Sequence, residues 1–389
     1  THTHTHTHTH TPARARATMM GSRRVCALVF LAVVVTCVQA CGITTHIEAS
    51  HRGRDFFASL PGGLPADTIA QYKQILEKYE AYLEAGSPFP DWGFAPSCGA
   101  IHDVGEATHQ LAFIQAGVKH VHTKYGTDPA KWTSATHALI VFLFGATSHQ
   151  VADDNWHSLG GVKQGFLKAM GATNFHGDGL GRAQAVGDNM DDAAVLFEMS
   201  MKWERTIGNW LLPLTDLAEI YDTYIPQYNL TKTAILKCTT MLFLGRLGER
   251  LAIAHAWLAN DNLKFSAVNS PFLADNFDTY FQGGMTDMAQ WTSLQWHQVA
   301  TMLQNATVAC SPGSTVQVQC EGSGSPPADR YTPTPTTGRQ AGAGVGAAAT
   351  TVVEPGPGLL TELHLRRQRA VDRLLPDWAA RTAREVEVE

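Results

Sequence analysis

The stretch "SATHALIVFLFGATSHQVADDNWHSLG", residues 134–160, decides how this chain folds. Its first part is mostly apolar, and its second part is crowded with His and Asp. The apolar residues recur with helical spacing, so one helix is predicted to run through both parts. In that helix His149 and Asp153 are four residues apart on one face, and His157 continues the stripe. Buried ionisable side chains need partners or a metal ion, so the stripe has to be explained.

Two interpretations of the stripe remain open from this stretch alone. A carboxylate between two imidazoles can bridge metal ions, and Zn²⁺ accepts such a mixture of nitrogen and oxygen ligands. An exposed polar helix end, or an Asp–His hydrogen bond that caps a helix, would use the same residues without a metal. The other His and carboxylate residues of the chain bear on this choice.

Four further stretches of the chain are rich in His or carboxylate side chains. They are "CGITTHIEASHR" from residue 41, "FPDWGF" from residue 89, "CGAIHDVGEATH" from residue 98 and "FHGDGLGRAQAVGDNMDD" from residue 175. Solvation alone does not explain such clustering in a helical domain of low charge, because buried ionisable groups need partners or metal. The combination favours a metal site.

The composition and the spacing of the apolar residues favour an all-α folded unit. The chain has 389 residues, 44% of them hydrophobic, and a formal net charge of −6. No basic block is present, which argues against a nucleic-acid partner. Helical spacing recurs over residues 41–320 while alternating strand-like runs are scarce, so an all-α domain is predicted there.

The N-terminal forty residues have the composition of a leader. Residues 1–18 begin with five Thr-His repeats and are of low complexity, and the favoured interpretation is that translation starts after them. Residues 19–40 combine two Arg residues, an apolar run and small residues, as in a secretory signal peptide. A membrane-spanning helix fits less well because the run is shorter than the ~20 residues a bilayer needs. Cleavage after Ala40 would leave Cys41 at the mature N-terminus, and a lipoprotein signal ending at Cys41 is an alternative.

Other features agree with a secreted, extracellular protein. Five Cys residues follow the leader, and disulfides persist mainly in oxidising compartments. Cys310 and Cys320 flank a short loop and are the easiest pair to propose. Sequons at Asn229 and Asn305 predict a glycoprotein. Residues 321–389 are rich in Pro, Gly and Ala and are predicted to be a disordered tail with a helical pattern near its end.

Taken in order, these stretches resemble the catalytic domain of the glycosylphosphatidylinositol-specific phospholipases D, within the zinc-dependent phospholipase C family. Two more stretches carry the resemblance, "QGFLKAMGATNFHGDG" and "SPFLADNFDTYFQGGMTDMAQW". That family is similar in turn to single-strand-specific zinc nucleases. The resemblance implies a multi-helical domain with up to three zinc ions. It further implies a secreted phosphodiesterase that hydrolyses phospholipid head-group bonds, above all the inositol–phosphate linkage of glycosylphosphatidylinositol anchors. Its partners would be phospholipids or anchored proteins at a membrane surface.

The resemblance also implies the ligands of the first two ions: Cys41 and His46 with Asp153 for one ion, and Asp91, His102, His149 and Asp153 for the other. The implied catalytic residues are Asp91, His149 and Asp153. Asp91 is the candidate general base, because a loop leaves its second oxygen free to accept a proton. His51 and His109 are equally well interpreted as residues that orient the ligands or as packing.

The third ion is where this sequence departs from the family. His157 would bind it together with Gln184 and Asp188, but the family has a His where Gln184 stands. A neutral amide is a poorer zinc ligand than imidazole, so the third site is expected to be weakened, unless His176 replaces the missing ring. This substitution and the absence of the family's β-propeller motivate a catalytically impaired homologue as one alternative. A single-strand zinc nuclease on the same fold is the other.

Overall fold

The computed structural model describes residues 42–59, 64–94, 102–159, 162, 165–175, 179–197, 210–258 and 270–305. The predicted signal peptide, the tail, Cys41, His176 and the Cys310–Cys320 pair lie outside these residues. The α-helices of the first half are α1 (Ile43–Phe57), α2 (Ala66–Lys78), α3 (Glu80–Gly86), α4 (His102–Thr108), α5 (Leu111–Tyr125) and α6 (Ser134–His157). Those of the second half are α7 (Phe166–Asn174), α8 (Gly179–Phe197), α9 (Leu214–Tyr224), α10 (Lys232–Leu258), α11 (Pro271–Asn276) and α12 (Met285–Gln304).

Short 3₁₀ helices join several of these elements, at Phe89–Phe94, Pro129–Lys131 and Pro226–Tyr228. No strand occurs in the described ranges, and the predicted all-α class is confirmed. None of the helices in this part of the chain combines the length and the apolar character that crossing a bilayer requires.

Helix α6 is the central helix of the fold. It begins with a capping box, in which the Thr133 hydroxyl accepts the N–H of Thr136 and the Thr136 hydroxyl accepts the N–H of Thr133. It ends at Ser158, which adopts the left-handed conformation with φ 64°. Most residues of this helix are buried, and its apolar first half is buried on all sides from Ala138 to Ala146. The first stretch quoted above is therefore a buried helix that carries its polar residues into the interior.

Helix α3 crosses α6 at a very short distance. A Cβ atom on Gly86 would lie 2.4 Å from the carbonyl oxygen of Phe142, and one on Gly145 would lie 2.6 Å from the carbonyl oxygen of Leu83. Only glycine allows the two backbones to approach so closely. Three buried hydroxyl groups are hydrogen-bonded to one another beside this crossing and connect α1, the end of α3 and α6: Ser50, Ser87 and Ser148.

Apolar side chains form two clusters that share helix α6. The larger cluster contains Phe142 and Trp296, and the smaller one contains Trp156 and Phe166. Along α6, His149 and Asp153 come between the residues that belong to the larger cluster and Trp156 of the smaller one. The fold thus holds the polar residues of α6 between two packed apolar regions, which keeps them in place.

Candidate metal centre

Five ionisable side chains from four parts of the chain meet beside α6; we call them the five-residue cluster. Nε2 of His149 lies 3.0 Å from Nε2 of His109 and 3.3 Å from Oδ2 of Asp153. Nε2 of His109 lies 3.3 Å from Oδ1 of Asp91 and 3.6 Å from Oδ2 of Asp153. His46 completes the cluster, with Nε2 3.5 Å from Oδ1 of Asp153 and its ring stacked on that of His149. Two sets of three side chains each offer ligand atoms that lie within 4.8 Å of one another. One set is His46, Asp91 and His149, and the other is His109, His149 and Asp153.

Backbone carbonyl groups set the tautomer of two of the imidazoles. Nδ1 of His149 lies 2.8 Å from the carbonyl oxygen of Ser87, and Nδ1 of His109 lies 2.8 Å from that of Gly105. A carbonyl oxygen only accepts, so each Nδ1 carries a proton, and each ring in its neutral form directs the lone pair of Nε2 into the cluster. Two such lone pairs 3.0 Å apart repel each other unless a proton or a cation lies between them. The arrangement is therefore suited to a cation.

Burial and neighbouring charges shift the pKa values of the cluster. Burial lowers the pKa of His109, but Asp91 and Asp153 outweigh it and raise the pKa to about 9. Burial and the neighbouring His149 lower the pKa of His46 to about 3, so this ring is neutral. Burial opposes ionisation of Asp153, yet His149 and His46 hold the pKa of its carboxyl below the ordinary value. Without a metal, the proton on His109 is the positive charge beside the two carboxylates.

Several buried atoms of the cluster lack a hydrogen-bonding partner among the described residues. They are both ring nitrogens of His46, both carboxylate oxygens of Asp91 and Oδ1 of Asp153. An unsatisfied buried polar group costs about 1–3 kcal/mol, so five in one place need another explanation. Imidazole nitrogens together with carboxylate oxygens are a ligand set that Zn²⁺ prefers, and the residues present fit this ion.

The structure differs from the prediction for His102 and brings His109 into the cluster instead. The His102 side chain is 71% exposed, and its Nδ1 lies 3.9 Å from Oε1 of Glu106. Helix α4 contacts α6 through its C-terminal end, where the Gln150 side chain donates to the carbonyl oxygen of Thr108. His109 follows directly at that end, whereas His102 begins the helix two turns away. Since residues seven apart share a helical stripe, the sequence did not distinguish them.

The residues predicted for a third ion lie together at the other end of the α6 stripe. Asp188 on α8 accepts a hydrogen bond from Nε1 of Trp156 at 2.9 Å and another from the Gln184 side chain. Burial raises the pKa of Asp188 to about 6. The charge of His157 acts on both Asp188 and Asp153, so this ring is near both groups. Here Gln184 is a hydrogen-bond donor to the carboxylate.

His51, the other histidine with two interpretations, lies in a different buried group. Its Nε2 is 3.3 Å from Oε1 of Glu84, whose other oxygen lies 2.9 Å from the guanidinium of Arg246. Arg54 likewise pairs with Glu80 nearby at 2.7 Å. Two arginines thus balance the two glutamates, and these residues form a buried ion-pair network rather than a second cation site.

Comparison with known proteins agrees with this geometry. Residues 45–214 match the family described as zinc dependent phospholipase C, and this range includes all of the five-residue cluster. This part of the chain belongs to the zinc-dependent phospholipase C family. The resemblance inferred from the sequence is thereby confirmed.

Several proteins to which this chain is similar share one name. The chain is similar to the phosphatidylinositol-glycan-specific phospholipase D of Bos taurus, 38% identical over 285 residues, or 72% of this chain and 32% of the relative. The protein of that name in Homo sapiens is 35% identical over 285 residues, again 72% and 32%. The one in Dictyostelium discoideum is 30% identical over 277 residues, 70% and 27%. The chain thus spans about a third of the length of the curated relatives it matches. No solved structure matches it.

Proposed function

We propose that this chain is a zinc-dependent phosphodiesterase whose catalytic domain, residues 41–320, hydrolyses phospholipid head-group bonds. The favoured substrate is the inositol–phosphate linkage of glycosylphosphatidylinositol anchors, which would release the anchored protein. One observation carries the proposal: imidazole nitrogens and two carboxylates converge within 3.0–3.8 Å in the interior of a chain from a zinc-dependent phospholipase family. The name that these relatives share, phosphatidylinositol-glycan-specific phospholipase D, supports this substrate.

Each residue of the five-residue cluster has a part in this proposal. Bound zinc supplies Lewis-acid chemistry, which offsets the charge of a phosphodiester and lowers the pKa of water. Asp153 directs Oδ1 toward His46 and Oδ2 toward His109 and His149, so it can bridge two ions. Oδ1 of Asp91 lies 3.3 Å from Nε2 of His109 and 3.8 Å from Nε2 of His149. Its Oδ2 has no partner among the described residues and can accept the proton of an attacking water, as a general base does.

Secretion and glycosylation are part of the same proposal. Cys238 is disulfide-bonded, which is typical of proteins from oxidising compartments. The sequon asparagines Asn229 and Asn305 are both exposed, Asn229 in a turn with φ 44° and Asn305 at the end of α12. Exposed positions are those that a glycosyltransferase can reach. These features support an extracellular protein that meets its substrate at the outer membrane surface.

The test is hydrolysis of a glycosylphosphatidylinositol-anchored reporter protein by the purified zinc-loaded chain. We expect release of the reporter into the aqueous phase with phosphatidic acid as the lipid product, and no release by the matched variant Asp153→Asn. Diacylglycerol as the product would contradict the assignment to the inositol–phosphate bond. Cleavage of single-stranded DNA without reporter release would favour the nuclease alternative. Zinc binding without either activity would favour an impaired homologue.

A further inference from the structure

Two buried carboxylates of α8 cap the N-terminal end of α1. Oδ2 of Asp191 accepts the N–H of Gly42 at 2.6 Å. Oδ1 of Asp192 accepts both the N–H and the hydroxyl of Thr45, at 2.7 and 2.8 Å, and its Oδ2 accepts the N–H of Thr44 at 3.1 Å. The backbone N–H groups at a helix start have no partner within the helix, and these side chains supply one for three of them.

This cap comes from a distant helix and leaves no space for a local one. Gly42 occupies the N-cap position, and a Cβ atom there would lie 2.2 Å from Cγ of Asp192. Asp191 and Asp192 are 0% and 4% exposed. A Ser or Asn at the N-cap position would satisfy the same amides without two buried negative charges, which are costly to desolvate. Capping of the helix alone therefore does not account for this pair.

The capped turn leads directly to His46 of the five-residue cluster. The carbonyl oxygen of Gly42 accepts the N–H of His46 at 3.1 Å, so the two residues are joined by one helical turn. The rings of His109 and His149 are oriented by hydrogen bonds to carbonyl groups. The ring of His46 has no such hydrogen bond to a carbonyl group among the described residues; it stacks on His149, and its Nε2 lies 3.5 Å from Oδ1 of Asp153. The position of its backbone, which the first turn of α1 holds, therefore contributes to the orientation of this ring.

We propose that Asp191 and Asp192 are positioning residues that hold His46, through the first turn of α1, in the orientation that zinc binding needs. The inference rests on the proposed zinc site. The two charges have a second effect at the same place, because the N-terminus of a helix carries partial positive charge that repels a nearby cation. The carboxylates offset this charge one turn away from His46.

The experiment compares zinc binding by the full chain and its Asp192→Asn variant. Zn²⁺ affinity is measured by competition with a chromophoric chelator, and bound Co²⁺ is followed by its visible absorption spectrum. We expect Asp192→Asn to bind one zinc ion about 10- to 100-fold more weakly than the parent chain and to change the absorption spectrum of bound Co²⁺. Thr133→Ala is the matched control, since it removes the cap of α6 far from His46. It should lose thermal stability but bind zinc within twofold of the parent chain.

The possible outcomes separate this inference from the proposed function. A parent chain that binds no zinc refutes the zinc site itself. A parent chain that binds zinc, with Asp192→Asn as tight as Thr133→Ala, overturns the positioning role alone. Should Asp192→Asn not fold, Gly42→Ala replaces it, because the added methyl displaces the Asp192 carboxylate. Its control is Gly53→Ala on the same helix, where a Cβ would lie 2.6 Å from Cγ2 of Thr292 and 3.4 Å from the carbonyl oxygen of Ala289, away from Asp192. Equal zinc affinity of these two variants would likewise overturn the inference.

Discussion

Single hydrogen bonds decide which atoms of the cluster can bind a cation. The carbonyl oxygens of Ser87 and Gly105 accept from Nδ1 of His149 and His109, and this leaves both Nε2 atoms as ligands. Residues that contact a metal ligand are often as important as the ligand, because they set its tautomer and its direction. The roles of His109 and Gln184 can each be tested by single substitutions.

The first prediction distinguishes the two histidines near α4. We expect His109→Ala to lose at least about 100-fold in reporter hydrolysis and to bind less zinc, because a ligand in the interior is removed. His102→Ala is the matched control and should change either quantity by less than twofold, since its side chain is 71% exposed. Zinc per chain is measured by elemental mass spectrometry. If His102→Ala lost activity and zinc while His109→Ala kept both, His102 would be the ligand.

The second prediction concerns Gln184. Its amide donates to Asp188 in place of an imidazole that would bind a cation, so the third site should be weak in this chain. We expect Gln184→His to bind one more zinc per chain than the parent protein, measured by native mass spectrometry. Gln184→Ala serves as the control and should gain none. An unchanged zinc content in Gln184→His would show that His157 and Asp188 are not arranged to share an ion.

At the scale of helices, close contacts between elements bring these residues together. Helices α3 and α6 approach through Gly86 and Gly145, and this approach places the Ser87 carbonyl against His149. Helices α5 and α9 are joined by Asp216, which contacts three side chains of α5: His120, Lys124 and Tyr125. Each contact leads to a prediction about stability.

Gly145→Ala should destabilise the protein by about 1–3 kcal/mol, because its methyl group would overlap the carbonyl oxygen of Leu83 and the backbones would have to separate. Separation would also move Ser87 away from His149 and weaken zinc binding. Thermal unfolding with and without zinc measures both effects. Gly181→Ala in α8 is the control. A Cβ there meets nothing within 4 Å, so it should stabilise by about 0.5–1 kcal/mol. Equal unfolding temperatures for the two variants would contradict the close crossing.

The Asp216 contact predicts a pH dependence of stability. Burial raises the pKa of its carboxyl, but hydrogen bonds from His120, Lys124 and Tyr125 outweigh burial and lower it to about 2. The unfolded value is about 4, and solvent screening reduces the effect, so the carboxylate contributes at most about 2 kcal/mol above that pH. Because the folded pKa is depressed, this contribution is lost as the pH falls from about 4 to about 2.

We therefore expect Asp216→Asn to be less stable than the parent protein at pH 7, measured by urea unfolding. The difference between the two should shrink as the pH is lowered toward 2. Asp222→Asn, an exposed position on the same helix, provides the comparison and should show no such convergence. A constant difference at all pH values would mean that the charge of Asp216 does not stabilise the α5–α9 contact.

At the scale of the whole molecule, the cluster connects segments that are distant in the chain. His46 lies on α1, Asp91 in a 3₁₀ helix, His109 after α4 and the remaining two residues on α6. A metal that binds all of them should stabilise the folded state, because it binds the unfolded chain far less well. The metal-free protein instead retains unsatisfied buried polar atoms. Metal binding to the cluster would therefore be coupled to folding.

Chelation is predicted to lower the thermal unfolding temperature of the protein. At a zinc concentration a thousandfold above the dissociation constant, the metal would contribute about 4 kcal/mol. The unfolding temperature should return when Zn²⁺ is added, as followed by circular dichroism. His109→Ala should show a much smaller response to chelator than the parent chain does. If chelator and added zinc leave the unfolding temperature of the parent chain unchanged, the cluster does not hold a stabilising metal.

The sequence by itself determined the all-α class, the helix that carries His149 and Asp153, and the stretches that supply their companions His46 and Asp91. These follow from local rules, since a period of 3.6 residues places side chains four apart on one face. The tertiary structure decided that His109 and not His102 joins the cluster, and that Asp191 and Asp192 close α1. Such choices depend on which end of a helix touches its neighbour and on contacts between residues almost 150 positions apart. No local pattern records them, because they arise only when the helices pack.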